Sequence, residues 1–323
     1  MRLPTVSPST FRRLAIVATV LLAAIVVTGG AVRLTSSGLG CPDWPRCTAH
    51  SVVAPASYHA LVEFVNRVVT SLVGVFIGLV FVAALRRRPA RRDLTLLAGS
   101  LIAGFLGQAV VGGLSVIYHL SPPWVMAHFL LSMLLLWAAL VLVHRSHPDW
   151  SPEPPRARRE LVALVRLTAC VAGVVLFLGT VTTGTGPHAG SGEHVRRLPF
   201  PLERVTQLHA DSALFLTGLV VATLFAVRLT DAGPVVRRRA SWLAAVVVVQ
   251  VAIGYTQYFL NLPPSVVELH IAGATLLWCT TIWLQLGLSV PRVVSLPQPA
   301  GSTEVVSEQT GPARPRRTAA TNT

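Results

Sequence analysis

Ionisable side chains stand inside otherwise apolar stretches of this chain: His59, Glu63 and Arg67 beside Asn66, then His128, then His209 with Asp211, then Glu268 with His270. Such groups are costly in hydrocarbon and persist there chiefly where they do chemistry. His209 and His270 offer two imidazoles, and an imidazole pair from facing helices is how helical bundles hold haem iron. A hydrogen-bonded core histidine is the plain alternative for any one of them. Zinc would ask for further Cys, His or Asp ligands, and Asp211, two residues from His209, falls on a different helical face. His59, Glu63 and Asn66 share one face, at i, i+4 and i+7. A carboxylate such as Glu63 beside a haem acts as a base or stabilises a developing cation; the competing reading is an ion pair with Arg67 at i+4. His128 has Asn66 opposite it, and asparagine is a poor axial ligand. That leaves His59 as the nearest substitute, or an iron open to substrate or water.

The elements that must carry these residues are membrane helices. Only 12% of the residues are charged, and the mean hydropathy is +0.62, a composition suited to a bilayer. Apolar runs occupy roughly 14–32, 68–85, 94–118, 123–143, 167–187, 212–227, 240–260 and 269–290, each near the ~20 residues that cross a hydrocarbon core. The fold expected is all-α, with eight transmembrane helices. The run at 212–227 is the shortest, so its helix is expected to start earlier. The net charge of +14 would suggest nucleic acid in a soluble protein, but here the arginines lie in loops and tails, where they set topology. Arg12 and Arg13, the RRRPARR segment at 86–92, Arg145 with Arg156, Arg158 and Arg159, Arg237 to Arg239, and Arg314, Arg316 and Arg317 fall on one side. That side is expected to be cytoplasmic, with both termini on it. The first apolar run ends in TGGAVRL with no small-x-small cleavage pattern, so it is read as the first helix.

The ionisable residues then form one layer just below the outer face. Cys41 and Cys47, in GCPDWPRC, lie on the outer loop after the first helix and are expected to form a disulfide in an oxidising compartment. Zinc is the weaker reading, because a second thiolate pair is missing. Cys170 and Cys279 are read as packing residues inside spans. His50, His119, His188 and His194 are read as solvated loop residues, and His144 and His147 as linker residues. The glycine-rich GTVTTGTGPHAGSG lacks a preceding strand and a following Lys-Ser/Thr, so it is no nucleotide loop. It is expected to end the fifth helix and shape an outer rim.

A repeat of about 142 to 149 residues runs through the chain. QAVVGG at 108–113 matches QVAIGY at 250–255, and a histidine follows each glutamine by 20 residues, His128 after Gln108 and His270 after Gln250. LSPPWV at 120–125 parallels NLPPSVV at 261–267, and LLW recurs at 135–137 and 276–278. GGAVRLTSSG at 29–38 resembles LGTVTTGTG at 178–186, and EFVNRVVTSLVG at 63–74 aligns with TQLHADSALFLTG at 206–218, which sets Asn66 opposite His209. The expected organisation is two repeated four-helix bundles. Residues 1–143 form the first, 144–160 a cytoplasmic linker, 161–290 the second, and 291–323 a disordered Pro/Ser/Thr/Arg-rich tail. An even number of spans per unit keeps both copies in one orientation, related by an axis along the membrane normal.

Taken together and in order, GGAVRLTSSGLGCPDWPRC, EFVNR, PPWVMAHFLLS, GTVTTGTGPHAG, LHADSALF and ELHIAGATLLW resemble the haem A synthase family over nearly the whole chain except the tails and linker. The resemblance implies an oxidoreductase that converts the C8 methyl of haem O to the formyl group of haem A, with water as oxygen source. It implies haem b on His209 and His270, the substrate haem on His128, a functional glutamate at Glu63, and a paired Cys41 and Cys47. The departure is Asn66, where many members have histidine. Implied partners are the lipid bilayer, haem O synthase, an electron acceptor and terminal oxidase assembly, with no nucleic acid; the implied place is a bacterial cell membrane. A b-type electron-transfer subunit is the main competing reading, and a transporter a second.

Overall fold

A computed structural model of the chain describes residues 5–148, 150, 157–192 and 195–289. They fold as α1 (Pro8–Leu34), α2 (Tyr58–Arg86), α3 (Arg92–Ile117), α4 (Pro122–Arg145), α5 (Arg159–Thr185), α6 (Leu202–Leu229), α7 (Pro234–Phe259) and α8 (Pro264–Gly287). All eight, at 24 to 29 residues, are long and apolar enough to cross a bilayer. At 1.5 Å per residue they span about 36–44 Å, so their ends extend past a hydrocarbon core of about 30 Å. The chain is an all-α, multi-pass membrane protein. The tail at 291–323, His194 and much of the linker lie outside the described residues.

Apolar runs mark the middles of these helices rather than their starts. α2 begins at Tyr58 and α6 at Leu202, because His59, Glu63, Asn66 and Arg67, and likewise Glu203, Arg204, His209 and Asp211, interrupt hydrophobicity without interrupting the backbone hydrogen bonds. At the other end, α4 runs on to Arg145, which puts His144 on a helix instead of in the linker.

Local chemistry fixes the helix ends. Ser7 caps α1 by accepting the Thr10 N–H at 3.2 Å, with Pro8 in the first turn. The turns into α4 and α8 share one design. His119 and Leu120 have φ of 48° and 55°, and Asn261 and Leu262 have φ of 59° and 60°. In the first turn the Leu120 N–H reaches back to the Ser115 carbonyl at 2.7 Å, and in the second Leu262 reaches Gln257 at the same distance. These six-to-one bonds satisfy carbonyls at the ends of α3 and α7. Two consecutive left-handed non-glycine residues are unfavourable; tight reversal into a proline-led helix holds them there.

Helix contacts divide into two rings. α1 packs on α2 and α4, and α2 and α4 on α3; α5 packs on α6 and α8, and α6 and α8 on α7. α1 and α4 meet α8, and α4 meets α5. Across that junction the Trp278 indole N–H donates to the Met133 carbonyl at 2.8 Å. One apolar core gathers Phe11, Ile77, Leu94, Leu101, Leu136 and Leu142, and a second Leu161, Val165, Leu216, Leu243, Leu277 and Leu284. The cores fill the arginine-rich end and the middle. Toward the other end the inward residues are mostly half-buried: in α2 only Ala60 and Glu63 are buried before Val73, and in α6 none before Leu216. Cys279 packs against the first core, whereas Cys170 lies on an exposed face of α5.

Candidate functional site

His128 and His270 each stand in the second turn of a proline-led helix. Each is gripped from the preceding helix in the same way. Gln108 donates from Nε2 to the His128 carbonyl at 3.0 Å and to Ser132 Oγ at 2.6 Å. Gln250 donates to the His270 carbonyl at 2.8 Å, with its Nε2 also 3.1 Å from His270 Nδ1. One turn further along each of those helices is a glycine against the imidazole. A Cβ at Gly112 would lie 3.1 Å from His128 Cε1, and one at Gly254 would lie 3.3 Å from His270 Cε1. Gly179 on α5 plays the same part for His209, with a Cβ falling 3.1 Å from Cε1. These glycines leave the rings room against the neighbouring helix. No sequence reading assigned them, although Gly112 and Gly254 both follow their glutamine by four residues.

His209 and His270 come together across the α5–α8 ring, although α6 and α8 themselves make no helix contact. Their ring centroids are 6.3 Å apart with the planes at 78°. Two metal–imidazole bonds of about 2 Å, plus about 1 Å from each ring centre to its nitrogen, also total about 6 Å. The pair therefore fits one metal centre with two axial imidazoles. Among the described residues no cluster of three or more His, Cys, Asp or Glu could hold a metal ion by itself, so a metal here needs further ligands from elsewhere, as a porphyrin supplies.

The α1–α4 ring is built differently. Asn66 Oδ1 accepts the Thr28 hydroxyl of α1 at 2.8 Å, while the buried Nδ1 of His128, like that of His209, has no hydrogen-bond partner among the described residues. His59 is exposed at the start of α2, with Nδ1 3.0 Å from Ser37 Oγ. Seven residues separate it from Asn66, about 10 Å along the helix.

Glu63 is buried and tied into the outer loop. Oε1 accepts from Arg67 Nη2 at 2.6 Å and Nε at 3.1 Å, and Oε2 accepts the Cys41 N–H at 2.8 Å. Arg67 also donates to the carbonyls of Cys41, Asp43 and Arg46 at 2.9, 3.1 and 3.0 Å. Cys41 and Cys47 are bonded as a disulfide, and Trp44 between them lies against Gly113 of α3. At Gly40 a Cβ would fall 2.2 Å from the His59 carbonyl oxygen, so only glycine lets the loop approach α2 this closely. The ion pair with Arg67 read at i+4 is present, and Glu63 also anchors the cystine loop.

Glu268 lies two residues before His270, its two oxygens enclosed without a hydrogen-bond partner among the described residues and facing Gly30 of α1. Asp211 points to an exposed face of α6. His188 Nε2 sits 2.9 Å from the Leu262 carbonyl, closing the rim over the α5 end. Arg33 and Arg197 both reach the Thr183 carbonyl there. Burial pushes the Arg197 guanidinium below its ordinary pKa.

Residues 12–190 match the family described as cytochrome oxidase assembly protein. A relative from Symbiobacterium thermophilum named Heme A synthase is 29% identical over 259 residues, 75% of this chain and 84% of its own length. Relatives of the same name from Exiguobacterium sibiricum and Lysinibacillus sphaericus are 28% identical over 143 residues and 30% identical over 129. In those two the match spans about half of the relative, 48% and 42%. With more than half of its length matched, the chain belongs to the cytochrome oxidase assembly protein family, the family of the haem A synthases.

Proposed function

We propose that the chain is a haem A synthase. It oxidises the C8 methyl of haem O to the formyl group of haem A, with water as the oxygen source. In balance, a methyl group and one water give an aldehyde, four electrons and four protons, by way of the alcohol. The electrons leave to an acceptor outside the chain. The observation that carries the reading is the inequality of the two histidine sites. His209 and His270 stand 6.3 Å apart, as two ligands of one iron, whereas His128 has Asn66, engaged by Thr28, in the repeat-equivalent place. A paired site suits a resident haem b, and a site with one imidazole suits a substrate that enters and leaves. The shared grip of Gln108 on His128 and Gln250 on His270 supports reading the rings as repeated bundles, 1–143 and 161–290.

His209 and His270 would hold haem b, which when bound supplies one-electron redox chemistry. His128 would take the iron of haem O or haem A. Both oxygens of Glu63 are engaged by Arg67 and Cys41, which favours a fixed charge near the reacting edge over a freely moving base. The arginine-rich end is assigned to the cytoplasm of a bacterial cell, placing the ligand layer toward the outer face. Partners consistent with this are haem O synthase as supplier of substrate and the assembly of a terminal oxidase as user of product.

The test is to express the chain with a source of haem O, extract the haems and separate them. Haem A in the extract, dependent on His128, supports the reading. Haem b in both bundles with no haem A would make the chain a b-type electron-transfer subunit instead.

A further inference from the structure

Two guanidinium groups meet at the outer rim of the junction between the rings. Arg33, near the end of α1, donates from Nε to the His188 carbonyl at 2.9 Å and from Nη2 to the Thr183 carbonyl at 3.2 Å. Arg197, in the segment between α5 and α6, donates from Nη2 to the same Thr183 carbonyl at 2.5 Å and to that of Gly186. Like charges are thus brought onto one acceptor. The ion pairs among the described residues are Glu63 with Arg67 and Asp93 with Arg91, so among the described residues neither rim arginine has a carboxylate. Nε and Nη1 of Arg197 are buried with no hydrogen-bond partner among the described residues. Burying unpaired donors of a charged group costs several kcal/mol, and an oxyanion would satisfy both donors and offset the repulsion.

The helix register gives the depth of this pair. Gly30 packs against Glu268 and Ile271, the residues flanking the His270 level on α8. Arg33 follows Gly30 by three residues, about 4.5 Å further outward. Gly179 touches the His209 ring, and Thr183 follows it by four residues, about 6 Å further outward. The arginines therefore stand roughly one helical turn above the imidazole pair, on the α5 and α1 sides of it.

We infer that Arg33 and Arg197 form an oxyanion site for the carboxylates of the haem held by His209 and His270. The inference rests on that ligand reading and adds to it the edge of the haem that faces outward. The same guanidinium chemistry suits a phospholipid phosphate at the membrane surface; the depth, one turn from the imidazoles, and the buried donors favour haem propionates.

Haem-depleted protein in neutral detergent micelles is titrated with haem and with haem dimethyl ester, whose propionates carry no charge. The readouts are the bis-imidazole optical spectrum and the affinity. Wild type is expected to bind the ester at least about tenfold more weakly than haem, the scale of one charge-assisted hydrogen bond or more. Arg33→Gln with Arg197→Gln keeps amide donors for the Thr183 carbonyl but removes both charges, and should bind the two ligands within about twofold of each other. Arg197→Lys should restore part of the discrimination, and a retained helical circular dichroism spectrum establishes that the variants fold. Equal binding of haem and ester by wild type, with a normal bis-imidazole spectrum, overturns the oxyanion site while leaving the ligand pair standing. Failure of wild type to give that spectrum with either ligand overturns both. Loss of phosphatidylglycerol retention in the double variant, with haem discrimination unchanged, assigns the site to lipid and overturns the inference.

Discussion

Placing one methyl group behind a ligand imidazole tests whether the three glycines serve the haem sites. In Gly179→Ala the new Cβ would start 3.1 Å from His209 Cε1, whereas carbon atoms pack best at about 3.5–4.0 Å. The ring would have to retreat by about half an ångström, near the tolerance of a preorganised ligand constellation. Its partner imidazole, with the centroid 6.3 Å away, leaves little slack for iron bonds of fixed length. Overpacking of this kind costs about 1–3 kcal/mol, equivalent to a loss of about 5- to 150-fold in haem affinity. Alanine also raises helix propensity by up to about 1 kcal/mol, so the variant should fold at least as well while binding haem less well. Gly254→Ala, with its Cβ at 3.3 Å from His270 Cε1, should show a smaller loss. Gly218→Ala on α6, where a Cβ meets nothing within 4 Å, is the control. The assay is optical titration of haem-depleted protein, following the bis-imidazole band. Unchanged affinity in Gly179→Ala, or an equal loss in Gly218→Ala, would refute the reasoning.

Asn66→His should introduce a second imidazole opposite His128 and release Thr28. A second bis-imidazole spectrum should appear on loading with haem O; an unaltered spectrum counts against Asn66 facing that site. Glu63→Ala removes the acceptor of the Cys41 N–H and of Arg67, costing about 1–3 kcal/mol in the outer loop. Conversion should be lost with the His209–His270 spectrum intact, and loss of that spectrum as well would mean the residue holds both rings together. Trp278→Phe deletes the indole bond to Met133, worth about 1 kcal/mol. Thermal stability should drop without change in haem content, and a coupled loss of haem would show that the α4–α8 junction controls ligand geometry.

How much of this was legible in the sequence depended on whether the controlling interaction is local. Helix number followed from runs of apolar residues, since a hydrocarbon core demands internally bonded helices of a set length. Helix starts did not, because the polar residues of the ligand layer break hydrophobicity inside α2, α6 and α8 while the backbone continues through them. The glutamine-to-histidine interval of 20 residues was visible as a repeat, yet its meaning, an amide bonding the histidine's own carbonyl from the preceding helix, appears only once α3 lies against α4. The Glu63–Arg67 pair at i+4 was readable from one helix. Its extension to the Cys41 N–H was not, since that contact depends on the path of the cystine loop and on the absence of a side chain at Gly40.

The same distinction separates what the two rings share from what divides them. The shared parts are the left-handed turn before the second proline-led helix, the glutamine on the histidine carbonyl, and the glycine behind the ring. All of these place an imidazole and are indifferent to what it binds. The differences lie one helix away: at position 66 an asparagine held by Thr28, at position 209 a histidine lying on Gly179. Only the first ring has a cystine loop tied to its wall through Glu63, and the arginine pair at the rim lies one turn above the level of the second ring's histidines. Two rings of four helices can therefore present one site with two imidazoles brought together and one with a single imidazole without changing the helices. The change needed is small, since an amide at position 66 bonds Thr28 and leaves the contact of α1 with α2 in place.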